Sequence, residues 1–170
     1  MDLTQYIKDV TDYPKVGVVF KDITPLLGNG EAFKYAIDKL AELFSDRQID
    51  IVLGIDARGF LLAAPVAYKL RKGIAIVRKP GKLPRKSIGE SYDLEYGSNA
   101  LEIHEDAIEP GQNVLIIDDV LATGGTMEAT CKMVKKLGGE IAGIGFLIEL
   151  DFLQGRNKLE ENNVKTLVHY

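Results

Sequence analysis

Residues 114–126 read Val-Leu-Ile-Ile-Asp-Asp-Val-Leu-Ala-Thr-Gly-Gly-Thr. An apolar run of strand length ends in two adjacent acids, Asp118 and Asp119, followed by a small turn rich in hydroxyls and glycine. A helix-like run then opens at Thr126. A buried strand that turns tightly into a helix is the repeating unit of a parallel α/β sheet. Each part also has a chemical use. The strand end fixes position, and two acids can grip a diol. A glycine-rich turn opening a helix offers bare N–H groups and a positive dipole end to a phosphate. Side chains alternate along a strand, so a simple helix cap needs only one of the two acids. The string is neither a Walker A loop nor the Gly-x-Gly-x-x-Gly fingerprint. It predicts a pocket for a phosphorylated sugar.

The same strand–helix alternation runs from Ile49 to the end of the chain. Ile49–Ile55 predicts a strand, and Ala57–Leu70 a helix in which Pro65 predicts a kink or interrupted turn. Ile74–Val77, Val114–Ile117, Ile141–Leu150 and Leu167-Val168 predict further strands. Thr126–Leu137 predicts a helix stopped by Gly138-Gly139. Upstream, Leu3, Tyr6, Ile7 and Val10 follow i, i+3, i+4, i+7 and predict a short amphipathic helix. Pro14–Pro25 reads as irregular. Phe33, Ile37, Leu40 and Phe44 mark a second helix opened near Asn29-Gly30. Tyr92–Glu105 alternates around Gly97-Ser98-Asn99 and predicts a hairpin. The fold class is α/β: a parallel twisted sheet with helices on both faces, in a single domain over residues 1–170.

Composition narrows the function classes. A net charge of −4 argues against general nucleic-acid binding. No apolar run is long enough to span a bilayer, and the start lacks the features of a signal peptide. No membrane partner is expected, and a cytoplasmic location follows. The one cysteine, Cys131, sits at helical spacing with Met127, Val134 and Leu137, as a core thiol does. His104 and His169 show no ligand or triad spacing, so no protein metal site is expected.

Ligands of such sheets bind outside the carboxyl ends of the strands. Asp56-Ala57-Arg58-Gly59-Phe60 and Asp118–Thr126 should share that rim. So should the basic loop 78–86, Arg-Lys-Pro-Gly-Lys-Leu-Pro-Arg-Lys. Alone, the first of these is an ordinary Asp cap beside an Arg. A charge run is usually a solvated face, and no aromatics interleave this one as nucleic-acid binding would want.

The whole string Val114–Thr126 resembles the phosphoribosyl pyrophosphate signature of type I phosphoribosyltransferases. The resemblance implies that Asp118 and Asp119 contact the ribose hydroxyls. Ala122, Thr123, Gly124, Gly125 and Thr126 would cradle the 5′-phosphate. Asp56, Ala57 and Arg58 then look like the family's pyrophosphate loop. Arg58 would neutralise charge growing on the leaving group. A non-proline cis peptide is expected at Asp56–Ala57. Arg78, Lys79 and Lys82 would approach the pyrophosphate from a mobile cover. Leu94-Glu95-Tyr96-Gly97 is similar to the adenine-specific members, in which the residue matching Glu95 reaches the purine N7 region and handles the proton. Tyr96 would help close the site. Gly17–Pro25 resembles their adenine-binding hood, with Phe20 stacked on the base and the backbones of Val19 and Lys21 on its Watson–Crick edge. Lys21 stands where many relatives carry Arg, so no bidentate side-chain role is carried over.

The implied fold is type I phosphoribosyltransferase-like, with an N-terminal hood over residues 1–30 and a flexible hairpin loop over 78–105. The implied reaction joins adenine and phosphoribosyl pyrophosphate, giving AMP and pyrophosphate in purine salvage. Mg2+ would be carried by the substrate pyrophosphate, and the enzyme would be a homodimer. Two alternatives stay open. One is transfer to another purine such as xanthine, because base specificity turns on few hydrogen bonds. The other is a non-catalytic regulator that senses phosphoribosyl pyrophosphate, although no basic extension of DNA-binding size is visible.

Overall fold

Five apolar runs lie side by side in one parallel sheet. The computed structural model describes residues 1–94 and 97–170. A short ribbon comes first, β1 (Lys8–Thr11) paired antiparallel with β2 (Val19–Asp22). Helices α1 (Thr24–Gly28) and α2 (Gly30–Glu42) follow. Next come β3 (Ile51–Ile55), α3 (Arg58–Leu70) and β4 (Gly73–Val77). The hairpin is β5 (Ser87–Leu94) with β6 (Gly97–His104). The chain closes with β7 (Asn113–Leu121), α4 (Gly125–Lys136), β8 (Glu140–Glu149) and β9 (Val164–His169).

The sheet order is β4-β3-β7-β8-β9. From β3 the chain crosses one way to β4, and from β7 it crosses the other way to β8. The point where the order reverses therefore lies between β3 and β7, the place where an open parallel sheet holds a ligand. Gly54 pairs with Ile117 there, which brings Asp56 and Asp118 out on one rim.

Helices cover both faces, as expected. On one face Ile37 and Leu40 of α2 and Leu62 and Val66 of α3 pack with Val52, Leu115 and Ile117. On the other, Met127, Met133 and Val134 of α4 pack with Leu53, Ile116 and Phe146. Asn29 opens α2 by accepting from the Ala32 N–H at 3.0 Å, the N-cap geometry that fits its side chain. No helix of the described residues is long and apolar enough to cross a membrane.

Several elements differ from the sequence-based expectation. The N-terminal helix is only a 3-10 turn, Leu3–Tyr6. Leu3 and Ile7 are buried, but Val10 lies on β1, all four of whose residues are exposed. The segment expected to be irregular contains β2. Helix α3 runs on through Pro65; Leu61, whose carbonyl lacks its usual partner there, is on the exposed side. Gly97-Ser98-Asn99 are paired within β6 and make no turn. Strand β7 continues four residues past Ile117 to Leu121, so both acids are strand residues. Within 78–105, Leu101 and Ile103 are buried, Arg78 and Glu102 exchange backbone hydrogen bonds, and Lys136 of α4 pairs with Glu90.

Phe44, just beyond α2, fills space left by two glycines of β8. A Cβ on Gly143 would stand 2.4 Å from its ring, and one on Gly145 3.0 Å. Phe44→Ala should lower unfolding free energy by about 3–5 kcal/mol, since a buried ring is lost and a cavity remains. Denaturant unfolding measures it, and a change under about 1 kcal/mol would mean that the site collapses freely.

Candidate active site

Strand alternation sets the two acids in different places. Asp119 is buried, 6% exposed, while Asp118 is half-buried. Asp118 Oδ1 accepts the Asp119 N–H at 2.9 Å. The first turn of α3 presses on the same carboxylate: a Cβ on Gly59 would stand 2.6 Å from Asp118 Oδ1. A hydrogen is all that fits between them.

Asp119 Oδ2 lies 2.7 Å from Arg58 Nε. The N–H is not aimed at it, so the contact is an ion pair without a hydrogen bond, and Oδ2 has no donor among the described residues. A buried acceptor without a donor calls for an explanation, and an incoming hydroxyl supplies one. Burial pushes the Asp118 carboxyl well above its ordinary range, and the neighbouring Asp119 charge pushes it further. Burial also raises Asp119, and Arg58 opposes it.

The turn after β7 passes through Gly124 at φ 80°, a left-handed conformation suited to glycine. No side chain caps α4, so its first N–H groups remain open to a ligand. The turn, with Asp118 and Phe146, surrounds a cavity of about 70 Å³. Thr126 Oγ1 donates to the Tyr92 hydroxyl at 3.1 Å, which joins the hairpin to the turn. A larger cavity of about 390 Å³ opens between Asp56, Lys79, Tyr92, Asn99 and Thr126. Tyr92 was not among the residues singled out from sequence. Its signal was strand alternation, which sets Ile88, Glu90 and Tyr92 on one face of β5.

The Asp56–Ala57 peptide is cis, as expected. Arg58 connects the sheet to the hood. Besides Asp119, its guanidinium lies 4.6 Å from the Phe20 ring centre, and Nη1 donates to the Lys21 carbonyl at 3.5 Å. The Lys21 side chain points elsewhere. Its Nζ pairs with Asp9 at 2.6 Å and sits 3.6 Å over the Tyr170 ring. Val19 is exposed on β2.

Arg78 is fixed by its backbone bonds to Glu102, and Nε donates to Asp56 Oδ2 at 3.1 Å. These bonds place it on the rim beside Asp56. Lys79 lines the larger cavity. Lys82 is exposed, and its carbonyl accepts from Arg78 Nη1 at 3.3 Å. Glu95 and Tyr96 lie outside the described residues.

Away from the crevice, ligand atoms of Glu149, Asp151 and His169 lie within 4.8 Å of one another. Glu149 is committed elsewhere, to the guanidinium of Arg156 and the hydroxyl of Thr166. Burial pushes its carboxyl up, but those donors outweigh burial and hold it below the ordinary value. The lone thiol, Cys131, is buried and pushed up to about 12, mainly by burial, so it is not a nucleophile.

Residues 25–168 match the family model of the phosphoribosyl transferase domain. The adenine phosphoribosyltransferase of Thermotoga petrophila is 58% identical, over 100% of both chains. The crystal structure of adenine phosphoribosyltransferase from Thermoanaerobacter pseudethanolicus superposes with a TM-score of 0.97 at 48% identity, covering 99% of this chain and 98% of that one. The enzyme from Saccharomyces cerevisiae, solved with an imino-altritol bisphosphate and adenine, superposes with a TM-score of 0.91 at 38% identity, covering 96% and 95%.

The raised Asp118 sets a pH dependence. An acid whose pKa is higher folded than unfolded loses stability as pH rises between the two values. Asp118→Asn should therefore raise the denaturant midpoint of the unliganded protein at neutral and mildly alkaline pH. The gain should shrink as pH falls into the ordinary carboxylate range. A variant that is no more stable at neutral pH would contradict this.

Proposed function

This chain belongs to the phosphoribosyl transferase domain family, and on that premise we propose that it transfers the 5-phosphoribosyl group of phosphoribosyl pyrophosphate to adenine, releasing AMP and pyrophosphate in purine salvage. One observation carries it: Arg58 touches both Asp119 at 2.7 Å and the Phe20 ring at 4.6 Å. A diol-binding acid and an aromatic surface thus face one crevice, beside an open helix N-terminus. The domain acts as one unit over residues 1–170.

The roles follow from the chemistry. Ala122, Thr123, Gly124, Gly125 and Thr126 hold the 5′-phosphate with N–H groups and hydroxyls. Asp118 and Asp119 accept from the ribose hydroxyls, donors that favour the charged carboxylates and offset their burial. Phe20 stacks on adenine, and the backbones of Val19 and Lys21 read its edge. Asp56, Ala57, Arg58, Arg78, Lys79 and Lys82 receive the pyrophosphate. Ribose hydroxyls replace Arg58 as the partners of Asp119, which leaves the guanidinium to the leaving group.

The bond from ribose C1 to the pyrophosphate oxygen loosens first, and cationic character grows on the sugar. The purine N9 lone pair then forms the new bond from the opposite face, while the electron pair of the broken bond stays with pyrophosphate. Glu95 accepts the proton that leaves N7 as the N9–C1 bond forms, and Tyr96 helps exclude water. Mg2+ would be carried by the substrate, where it would offset pyrophosphate charge. Asp56 and Asp119 are each paired with an arginine, so pyrophosphate and sugar oxygens are the better ligands.

The enzyme is a homodimer in this proposal. Leu61 and Tyr68 expose one apolar side of α3, and Ile74 of the adjoining β4 is exposed as well. Tyr68→Glu should sediment as a monomer where the wild type sediments as a dimer; equal sedimentation would exclude that face. A cytoplasmic location belongs to the same proposal, supported by the buried free thiol of Cys131.

The reaction is tested with purified protein, phosphoribosyl pyrophosphate, Mg2+ and several purines. AMP should form from adenine with equal release of pyrophosphate. Turnover of xanthine in place of adenine would move the base assignment, and sugar-substrate binding without any turnover would favour a regulator. In the same assay Glu95→Gln should lower kcat by roughly 10²–10⁴-fold if it transfers the proton. An unchanged kcat with rate-limiting chemistry would remove that role.

A further inference from the structure

A segment far along the chain lies directly behind the phosphate turn. Gly155 opens the 3-10 turn Gly155–Leu159 and is buried. A Cβ on Gly155 would stand 2.1 Å from the Ala122 carbonyl oxygen and 2.9 Å from the Gly124 nitrogen. A Cβ on Gly124 would stand 2.4 Å from the Gly155 carbonyl oxygen. Two backbones thus touch with glycine on both sides, and no side chain fits between them.

The next residue pins this contact. Arg156 Nε donates to Glu149 Oε1 at 2.9 Å, and Nη2 donates to Glu149 Oε2. Arg156 Nη1 donates to the Val164 carbonyl at 2.9 Å, and Thr166 Oγ1 donates to Glu149 Oε2 at 2.8 Å. Glu149, 5% exposed, ends β8 and is the register partner of Leu121. Leu121 is the strand residue that enters the phosphate turn. The arginine fork therefore fixes Gly155 relative to the very strand pair from which the turn departs. A paired, hydrogen-bonded fork is also the geometry that makes a buried ion pair specific in direction.

We infer that Gly155, held in place by the Glu149–Arg156 ion pair, is a positioning residue that sets the shape of the turn 122–126 and hence its grip on the 5′-phosphate. The inference rests on the phosphoribosyl-transfer proposal above. None of these three residues needs to touch the substrate. They act through the carbonyl of Ala122 and the nitrogen of Gly124, so any shift in the 155–159 segment is passed to the N–H groups at the head of α4.

Gly155→Ala and Arg156→Lys test it. The first forces a Cβ into the contact. The second keeps the charge but loses the fork, since an ammonium cannot match the paired geometry of a guanidinium. Folding of each is checked by circular dichroism, and AMP and adenosine, which lacks the phosphate, are titrated calorimetrically. AMP binding should weaken about tenfold or more in both variants, in keeping with the loss from a small misplacement of binding groups. Adenosine binding should be little changed. Unchanged AMP affinity, or AMP and adenosine weakening in parallel, would overturn the inference. If Gly155→Ala does not fold, Arg156→Lys decides alone. A wild-type protein that does not bind AMP would overturn the functional proposal and this inference with it.

Discussion

Two adjacent carboxylates near the end of a buried central strand repel each other and lose hydration together. That constraint organises the crevice. Burial raises both acids, and the charge of Asp119 falls on Asp118 in addition. The compensating groups come from separate elements. Arg58, at the head of α3, supplies the positive charge, and the Asp119 N–H supplies a donor to Asp118. Helix α3 can stand close enough to do this because residue 59 has no side chain. Among the described residues Asp119 Oδ2 has no donor, so the acid keeps an open acceptor that the proposed ribose diol would fill. The raised acid to which the proposed function gives a binding role is also the one expected to cost stability at neutral pH, the usual tension between a binding site and its fold.

The strand order explains why these groups meet at all. Asp56 and Asp118 leave neighbouring strands at the reversal point, and α3 and α4 start from there on opposite faces. The basic segment after β4 returns to the same rim, because the Asp56 carboxylate accepts from Arg78 and the Asp56 N–H donates to the Val77 carbonyl. The crevice is therefore built from fixed parts on its sheet side. The backbone bonds of Arg78 tie the base of the hairpin to this rim, and the Tyr92–Thr126 contact ties a point nearer its tip to the turn after β7.

Much of this was legible because apolar runs of strand length alternate with helical spacing from Ile49 onward. The phosphate turn was legible for a different reason: glycine, hydroxyls and paired acids in one short string have few structural uses. Other parts were not legible, each for a physical cause. Leu3, Tyr6, Ile7 and Val10 have helical spacing, yet a 3-10 turn buries Leu3 and Ile7 while Val10 pairs in a strand that is exposed throughout. The hydrophobic run of β7 stops at Ile117, but its ladder with β8 continues to Leu121 and Glu149. Strand length depends there on a partner that the local sequence does not name. Tyr92, Gly155 and Arg156 likewise derive their importance from contacts with distant segments.

The hood, to which the proposed function gives base recognition, is anchored at both edges. Arg58 ties Phe20 and the Lys21 carbonyl to the sheet, while the Lys21 side chain reaches Asp9 and the C-terminal Tyr170. Tyr170 in turn donates its N–H to the Glu149 carbonyl and accepts from the Asp151 N–H. The hood and the support of the phosphate turn thus converge on one short region around Glu149. A change confined to the Arg156 fork leaves in place the backbone bonds by which Tyr170 meets Glu149 and Asp151, so under the proposed roles it acts first on the 5′-phosphate side.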